Sequence, residues 1–162
     1  MPVKTIEEAK ILTEGWARDR GFLSEKPKPD NEDAIKQFNF KYDGETQTGV
    51  NFSLIQPKDL NRAVVAISRI EIAPIHLKLL DSLASDELDN FLWDVRKELA
   101  FAPASFMFLP LDGKLESIQF TKEISFDELT EGRLSDAVDS LIRCTLVVVW
   151  LFRKAFGTGK ED

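Results

Sequence analysis

Residues 134–156, LSDAVDSLIRCTLVVVWLFRKAF, form the stretch that decides the fold. At about 100° per residue, a helix over this stretch has one broad apolar face suited to packing against a core. The sequence therefore predicts a long closing helix whose inner face covers the rest of the domain. That face comprises Leu134, Val138, Leu141, Thr145, Val148, Val149, Phe152 and Phe156.

The opposite face of this helix changes character along its length. It begins with acidic Asp136 and Asp139, as a solvated face does, and continues with apolar Val147 and Trp150. Small soluble domains rarely leave such an apolar patch uncovered. Two explanations are open at this point: another element of the same fold covers the patch, or a second protein does.

From residue 36 onwards, the apolar residues recur at every second position, which is the period of a strand. Residues 36–42 and 50–54 alternate apolar with polar side chains, and Asp43 and Gly44 between them are typical of a turn, so this region predicts a hairpin. Residues 63–72 include four apolar side chains in succession, which is typical of a central strand covered on both sides. Two further strands are predicted at 105–109 and 115–124.

Three more helices are predicted from end signals and helical spacing. Thr5 and Glu8 fit a capping box, which predicts a first helix that runs to about Arg20. A short helix is predicted from about residue 75 to 83, and Ser85 is the predicted N-cap of the next helix.

The element order α-βββ-α(α)-ββ-α predicts the fold class. An α+β domain with two layers buries these apolar faces most simply: an antiparallel sheet of about five strands, with the helices packed on one face. We expect residues 1–162 to form one domain. Residues 24–34, rich in Lys, Pro, Asp and Glu, predict an exposed connector, and residues 157–162 predict a flexible tail.

The composition and the charge of the chain limit the kinds of partner that the protein is expected to bind and the place where it is expected to occur. The 162 residues are 43% hydrophobic and 30% charged, which is typical of a folded globular protein. The formal net charge is -7, and this charge repels phosphate backbones and anionic lipids, so we expect no nucleic-acid or membrane partner. The N-terminal residues contain no apolar signal segment, which favours a cytoplasmic location.

The sequence lacks the residue sets of common catalytic sites. His76 is the only histidine and Cys144 the only cysteine, so paired-histidine zinc sites and internal disulfides are excluded within one chain. The strongly apolar surroundings of Cys144 predict a buried thiol, and His76 is expected to have a local structural role. No glycine spacing matches a phosphate-binding loop. We therefore predict a protein that is not an enzyme and uses no cofactor or metal.

Two segments carry a resemblance to a known group of proteins. Residues 70–77, IEIAPIHL, and residues 91–99, FLWDVRKEL, together with the element order, resemble an uncharacterised archaeal family, a domain of unknown function similar to type III secretion chaperones. The resemblance implies an α+β fold and frequent homodimerisation. In the secretion chaperones only, it also implies binding of partner segments across the surface. It transfers no functional residues, and a shared fold does not establish a shared activity.

The leading interpretation is a homodimeric, chaperone-like protein that binds another protein or a peptide. Trp93 falls on the polar side of its predicted helix, and tryptophan is enriched where interfaces are strongest. The alternative is a small-ligand-binding or sensor domain with an apolar pocket between the sheet and the helices. The interface hypothesis names five residues: Trp93, Arg143, Val147, Trp150 and Leu151.

Overall fold

The computed structural model of the protein describes residues 2–22, 37–60 and 62–158. The connector predicted at 24–34 and most of the tail predicted at 157–162 therefore lie outside the described residues.

A five-stranded antiparallel sheet forms one layer of the fold. In sequence order its strands are β1 (Phe38–Glu45), β2 (Asn51–Pro57), β3 (Ala63–Glu71), β4 (Ser105–Leu109) and β5 (Ser117–Ser125). Across the sheet the order is β1-β2-β3-β5-β4, and every neighbouring pair is antiparallel. The central position predicted for the third strand is confirmed.

The described helices form the second layer, on one face of the sheet. They are α1 (Ile6–Asp19), α2 (Pro74–Ser82), α3 (Ser85–Ala100) and α4 (Glu131–Phe156). The predicted α+β class and element order are confirmed. Within the three described ranges, no helix combines the length and the apolar content that a membrane crossing requires.

The closing helix α4 is the centre of the packing. It lies against β3 and β5 and also contacts α1, α2 and α3. Its inner face supplies fully buried Leu134, Leu141 and Val148, as the sequence predicts. Alternate residues of the strands, such as Ile118 and Phe120 of β5, meet this face because successive side chains of a strand point to opposite sides.

The two predicted helix starts have different outcomes. The capping box of α1 is confirmed, since the Glu8 amide donates to the Thr5 hydroxyl at 3.1 Å and the Glu8 carboxylate accepts from the Thr5 amide. The prediction that Ser85 caps α3 is wrong. The N-cap is Ala84, which has no capping side chain, and Ser85 is already the first helical residue.

The turn predicted at Asp43 and Gly44 is also wrong. Both residues lie within β1, and the turn follows at residues 46–50, where Gly49 has a φ of 82°. Gly44 has a different purpose: a Cβ there would lie 2.7 Å from Cζ of Phe52. The missing side chain therefore leaves room for a core aromatic ring from the neighbouring strand.

Candidate functional site

Most of the exposed large apolar side chains of the described residues belong to α3, β4, α4 and the segments that connect them. The three exceptions are Ile6, Ile11 and Leu60. The other six belong to α3, β4, α4 and the segments flanking β4, and exposed apolar side chains of this size are candidates for contact with a partner. These six are Trp93, Phe101, Met107, Leu111, Leu146 and Trp150.

Trp93 is 58% exposed on the outer side of α3, and the guanidinium group of Arg96 lies over its ring. The guanidinium carbon of Arg96 lies 5.2 Å from the centre of the Trp93 indole and 4.6 Å from the centre of the Phe108 ring. Trp93 and Arg96 can meet because residues three apart share one side of a helix. Each such cation–π contact is worth about 0.5–1 kcal/mol at an exposed position. The indole is therefore exposed to solvent beside Arg96 on the α3–β4 surface, which we define as Trp93, Arg96, Phe101 and Phe108. Met107 alternates with Phe108 along β4 and therefore lies on the opposite face of the sheet.

The strand beneath this surface is an edge of the sheet. β4 pairs with β5 on one side and has no strand on its other side among the described residues. Its five residues, SFMFL, contain no charge, whereas β1 at the opposite end of the sheet order carries Lys41, Asp43 and Glu45. Edge strands usually carry charges or kinks that prevent pairing with another chain. β4 carries no such charge, and Phe101, 93% exposed, lies four residues before it.

A second apolar region lies on the outer face of α4. Arg143, Leu146, Val147 and Trp150 follow one another at spacings of three, one and three residues and share one side of the helix. Trp150 is 60% exposed, Arg143 and Leu146 are also exposed, and Val147 is half-buried. Together with Asp139 and Lys154 at its two ends, we define these residues as the outer stripe of α4.

The five residues of the interface hypothesis do not form one uniform surface. Trp93, Arg143 and Trp150 are exposed, and both tryptophans are more than half accessible within a single chain. Val147 and Leu151 are half-buried and pack against the core. Whether a second chain covers the exposed three stays a prediction.

Sequence reasoning missed four residues of this region: Phe101, Met107, Leu111 and Leu146. Leu146 could have been found, because it lies four residues before Trp150 and therefore on the same side of the helix. The exposure of Met107 follows from the strand order, which the sequence alone does not reveal. Phe101 and Leu111 lie in connecting segments, where no periodicity indicates burial or exposure.

His76 and Cys144 are both buried and hold structure together. His76, at the start of α2, donates from Nε2 to the Gly157 carbonyl oxygen at 3.1 Å, and its ring lies 5.5 Å from that of Phe152. Cys144 is fully buried, as predicted, and burial raises the pKa of its thiol above the ordinary value. Over the described ranges, no group of three or more His, Cys, Asp or Glu side chains is placed to hold a metal ion.

Clefts occur at the margins of the layer between sheet and helices. A cleft of about 550 Å³ lies between α1, the β1–β2 turn and α4, and Arg20, Ser135 and Ile142 are among its lining residues. A groove of about 440 Å³ lies between α2, α3 and the β4–β5 connection. Its apolar lining consists of leucines: Leu77, Leu80, Leu88, Leu92 and Leu115.

Known structures share this fold. An uncharacterised protein from Methanothermobacter thermautotrophicus is 24% identical, with a TM-score of 0.81 over 92% of this chain and 99% of that one. The Yersinia pestis type III secretion chaperone SycH, solved with a fragment of YscM2, is 12% identical, with a TM-score of 0.50 over 86% of this chain and 98% of that one. YbjN from E. coli, a putative transcription regulator, is 13% identical, with a TM-score of 0.50 over 88% of this chain and 89% of that one.

The sequence comparison identifies the family. The profile of the family described as "Uncharacterized conserved protein (DUF2299)" matches residues 10–152, which is most of the chain. The chain therefore belongs to this family, whose function is unknown. No match is found among curated protein sequences.

Proposed function

We propose that this member of the DUF2299 family is a homodimer that binds another protein or a peptide through its exposed apolar surfaces. The observation that carries the proposal is the contrast between its three tryptophans. Trp16 is 2% exposed in the core, whereas Trp93 and Trp150 are 58% and 60% exposed. Tryptophan is enriched among the residues that contribute most to binding at protein interfaces, because one side chain buries a large area.

The edge strand provides independent support. An uncharged, apolar edge strand can pair with an extended segment of another chain through its free main-chain groups. Met107 on β4 and Phe101, four residues before this strand, supply apolar contacts beside such a segment. The α3–β4 surface therefore combines main-chain pairing with side-chain anchoring.

The structural neighbours are compatible with this proposal. SycH shares the fold and was solved with a fragment of another protein, so the fold can present a surface for a partner segment. YbjN, with the same degree of similarity, is described as a putative transcription regulator. Because one fold can serve different functions, the proposal rests on the exposed surface of this chain and not on the fold.

Two further parts of the proposal rest on the sequence. The absence of an enzyme activity is proposed because the chain has one histidine, one cysteine and no phosphate-binding glycine loop. A cytoplasmic location is likewise proposed, because the single cysteine, Cys144, leaves the chain without an internal disulfide of the kind that is common in oxidising compartments.

The test of peptide binding is selection from a random peptide library displayed on phage, with the full chain as target. We expect enrichment of sequences rich in apolar residues on the wild type and its loss on Trp93→Ala. Ile11→Ala is the matched control, since Ile11, 63% exposed, is similar to Trp93 in exposure but lies on α1, outside the surface. Failure to enrich any sequence on the wild type would contradict peptide binding.

The leucine-lined groove favours a second candidate function, the binding of a small apolar ligand. Its volume of about 440 Å³ falls in the range of ligand pockets, and the ion pair between Lys114 Nζ and Asp81 Oδ1, 3.0 Å apart, lies at its rim. Thermal unfolding with medium-chain fatty acids tests this function. We expect an increase in the melting temperature that Leu88→Gln removes, and an unchanged melting temperature across the series counts against it.

A further inference from the structure

We infer that the outer stripe of α4 packs against the same stripe of a second copy of this chain, in antiparallel orientation, about a two-fold axis between Leu146 and Val147. This inference rests on the proposed homodimer and deepens it by naming the surface, the partner and the register.

The outer stripe has the shape of a helix–helix seam. Asp139, Arg143, Leu146 and Trp150 succeed one another at spacings of four, three and four residues, the spacing that keeps side chains on one side of a helix. With Lys154, the stripe extends about 22 Å at a rise of 1.5 Å per residue. This length is sufficient for two helices to pack side by side over four turns.

When two copies of the outer stripe are placed side by side in antiparallel orientation, each charge of one copy lies near a complementary group of the other. Asp139 and Lys154 lie at equal distances on either side of the midpoint between Leu146 and Val147, and so do Arg143 and Trp150. A two-fold axis at this midpoint therefore brings Asp139 of each copy opposite Lys154 of the other. It also brings each Arg143 guanidinium opposite the Trp150 ring of the other copy, a favourable cation–π arrangement.

The apolar side chains of the stripe lie where the two copies come closest. Leu146 and Val147 lie next to the midpoint, one on the left edge and one on the right edge of the stripe. The two-fold axis therefore brings Leu146 close to Leu146 of the second copy and Val147 close to Val147 of the second copy. Asp139, Arg143 and Lys154 are exposed and form no ion pair with any other described residue. Asp139 also lines the cleft beside α1, and its charge is open to solvent there.

The net charge of the protein favours contact between two copies through this face over contact through the rest of their surfaces. Two copies with a formal charge of -7 each repel one another over most of their surfaces. The outer face of α4 is an exception, because the exposed acidic residues Asp136 and Asp139 are balanced there by Arg143 and Lys154. It therefore favours approach of a second copy where the average surface opposes it.

Charge reversal tests the register with the full chain. We expect Asp139→Lys and Lys154→Asp each to raise the dimer dissociation constant about tenfold, because each places like charges opposite one another twice per dimer. The double variant Asp139→Lys with Lys154→Asp restores opposite charges, so its dissociation constant should return towards that of the wild type. Asp89→Lys, an equal change of charge on the exposed side of α3, is the control and should have a smaller effect. Sedimentation equilibrium gives the dissociation constants of the wild type and of the four variants.

Cross-linking tests the position of the axis. Leu146→Cys should form an intermolecular disulfide with its own counterpart under mild oxidation, while native Cys144 is fully buried. Met107→Cys on β4 is the matched control, and we expect it not to cross-link.

The outcomes separate this inference from the proposed function. If the charge reversals leave the dimer dissociation constant unchanged, or if Met107→Cys forms the cross-link, the proposed α4 register is wrong while the homodimer remains. A wild-type protein that is monomeric at all accessible concentrations overturns both. Restoration by the double variant together with cross-linking at Leu146→Cys supports the inference.

Discussion

The indole Nε1 of Trp16 donates a hydrogen bond to the hydroxyl of Ser135 at 3.1 Å, and this bond joins the first helix to the last. Arg20 donates to the same hydroxyl at 3.2 Å. Because Trp16 is nearly fully buried, its N–H group depends on this single hydroxyl as its protein partner.

We therefore expect Ser135→Ala to lower the free energy of unfolding by about 1 kcal/mol, since it leaves the Trp16 N–H without its acceptor. Urea denaturation followed by tryptophan fluorescence measures this change. Ser82→Ala is the control, because Ser82 is exposed and its hydroxyl bonds only within its own helix. Equal effects of the two substitutions would show that the bond between the helices contributes nothing.

Trp150→Ala should separate association from folding. Trp150 is exposed within one chain, so we expect the isolated fold to lose less than about 1 kcal/mol. If the outer stripe forms the dimer contact, the substitution also weakens association and removes the concentration dependence of the melting temperature. Light scattering after size exclusion and thermal unfolding at several concentrations measure both effects.

Leu141→Ala is the counterpart on the inner face of α4. Leu141 is fully buried, and its truncation should cost about 2–5 kcal/mol at any protein concentration. A large loss of stability at Trp150→Ala in a dilute monomer would contradict the assignment of Trp150 to the exposed stripe.

The two glycines Gly44 and Gly15 should respond oppositely to alanine. A Cβ at Gly44 would lie 2.7 Å from Cζ of Phe52 and 3.1 Å from the Phe22 carbonyl oxygen, so Gly44→Ala should destabilise the fold by about 1–3 kcal/mol. A Cβ at Gly15 has no other atom within 4 Å, and Gly15→Ala within α1 should add about 0.5–1 kcal/mol. Chemical denaturation of both variants checks the opposite signs.

The capping box gives α1 a pH dependence. Hydrogen bonds from the Lys4 amide, 2.7 Å away, and from the Thr5 amide hold the pKa of Glu8 below its ordinary value. Because the folded pKa is lowered, the stabilisation is present above the unfolded pKa and is lost as the pH falls through the folded pKa.

We therefore expect Glu8→Gln to be less stable than the wild type at neutral pH, and the difference to shrink as the pH falls below about 4. Thermal unfolding across the acid range measures the difference. A difference that stays constant with pH would mean that the charge of Glu8 does not contribute to the cap.

The sequence predicted the features that depend on neighbouring residues. Thr5 and Glu8 lie three residues apart and interact through one helical turn, so the capping box is visible without the fold. The inner face of α4 is equally local, because a helix converts sequence spacing into one side of a cylinder. The failures concern contacts between distant segments. Gly44 appeared to be a turn residue because its contact with Phe52 depends on strand pairing, and the exposure of Met107 depends on the position of β4 at the sheet edge.

The strand order has a consequence for synthesis on the ribosome. β3 pairs on one side with β2, its neighbour in sequence, and on the other side with β5, which comes much later in the chain. Glu71 of β3, for example, can pair with Ser117 only after β5 has been synthesised. Until β5 has been made, the apolar strand β3 has an open edge, and the sheet lacks the surface on which α4 later packs. Such long-range pairing slows folding and exposes the nascent chain to misassembly. We expect the amino-terminal half not to complete its fold while it is being translated, so that stable structure appears only when the last helix has left the ribosome.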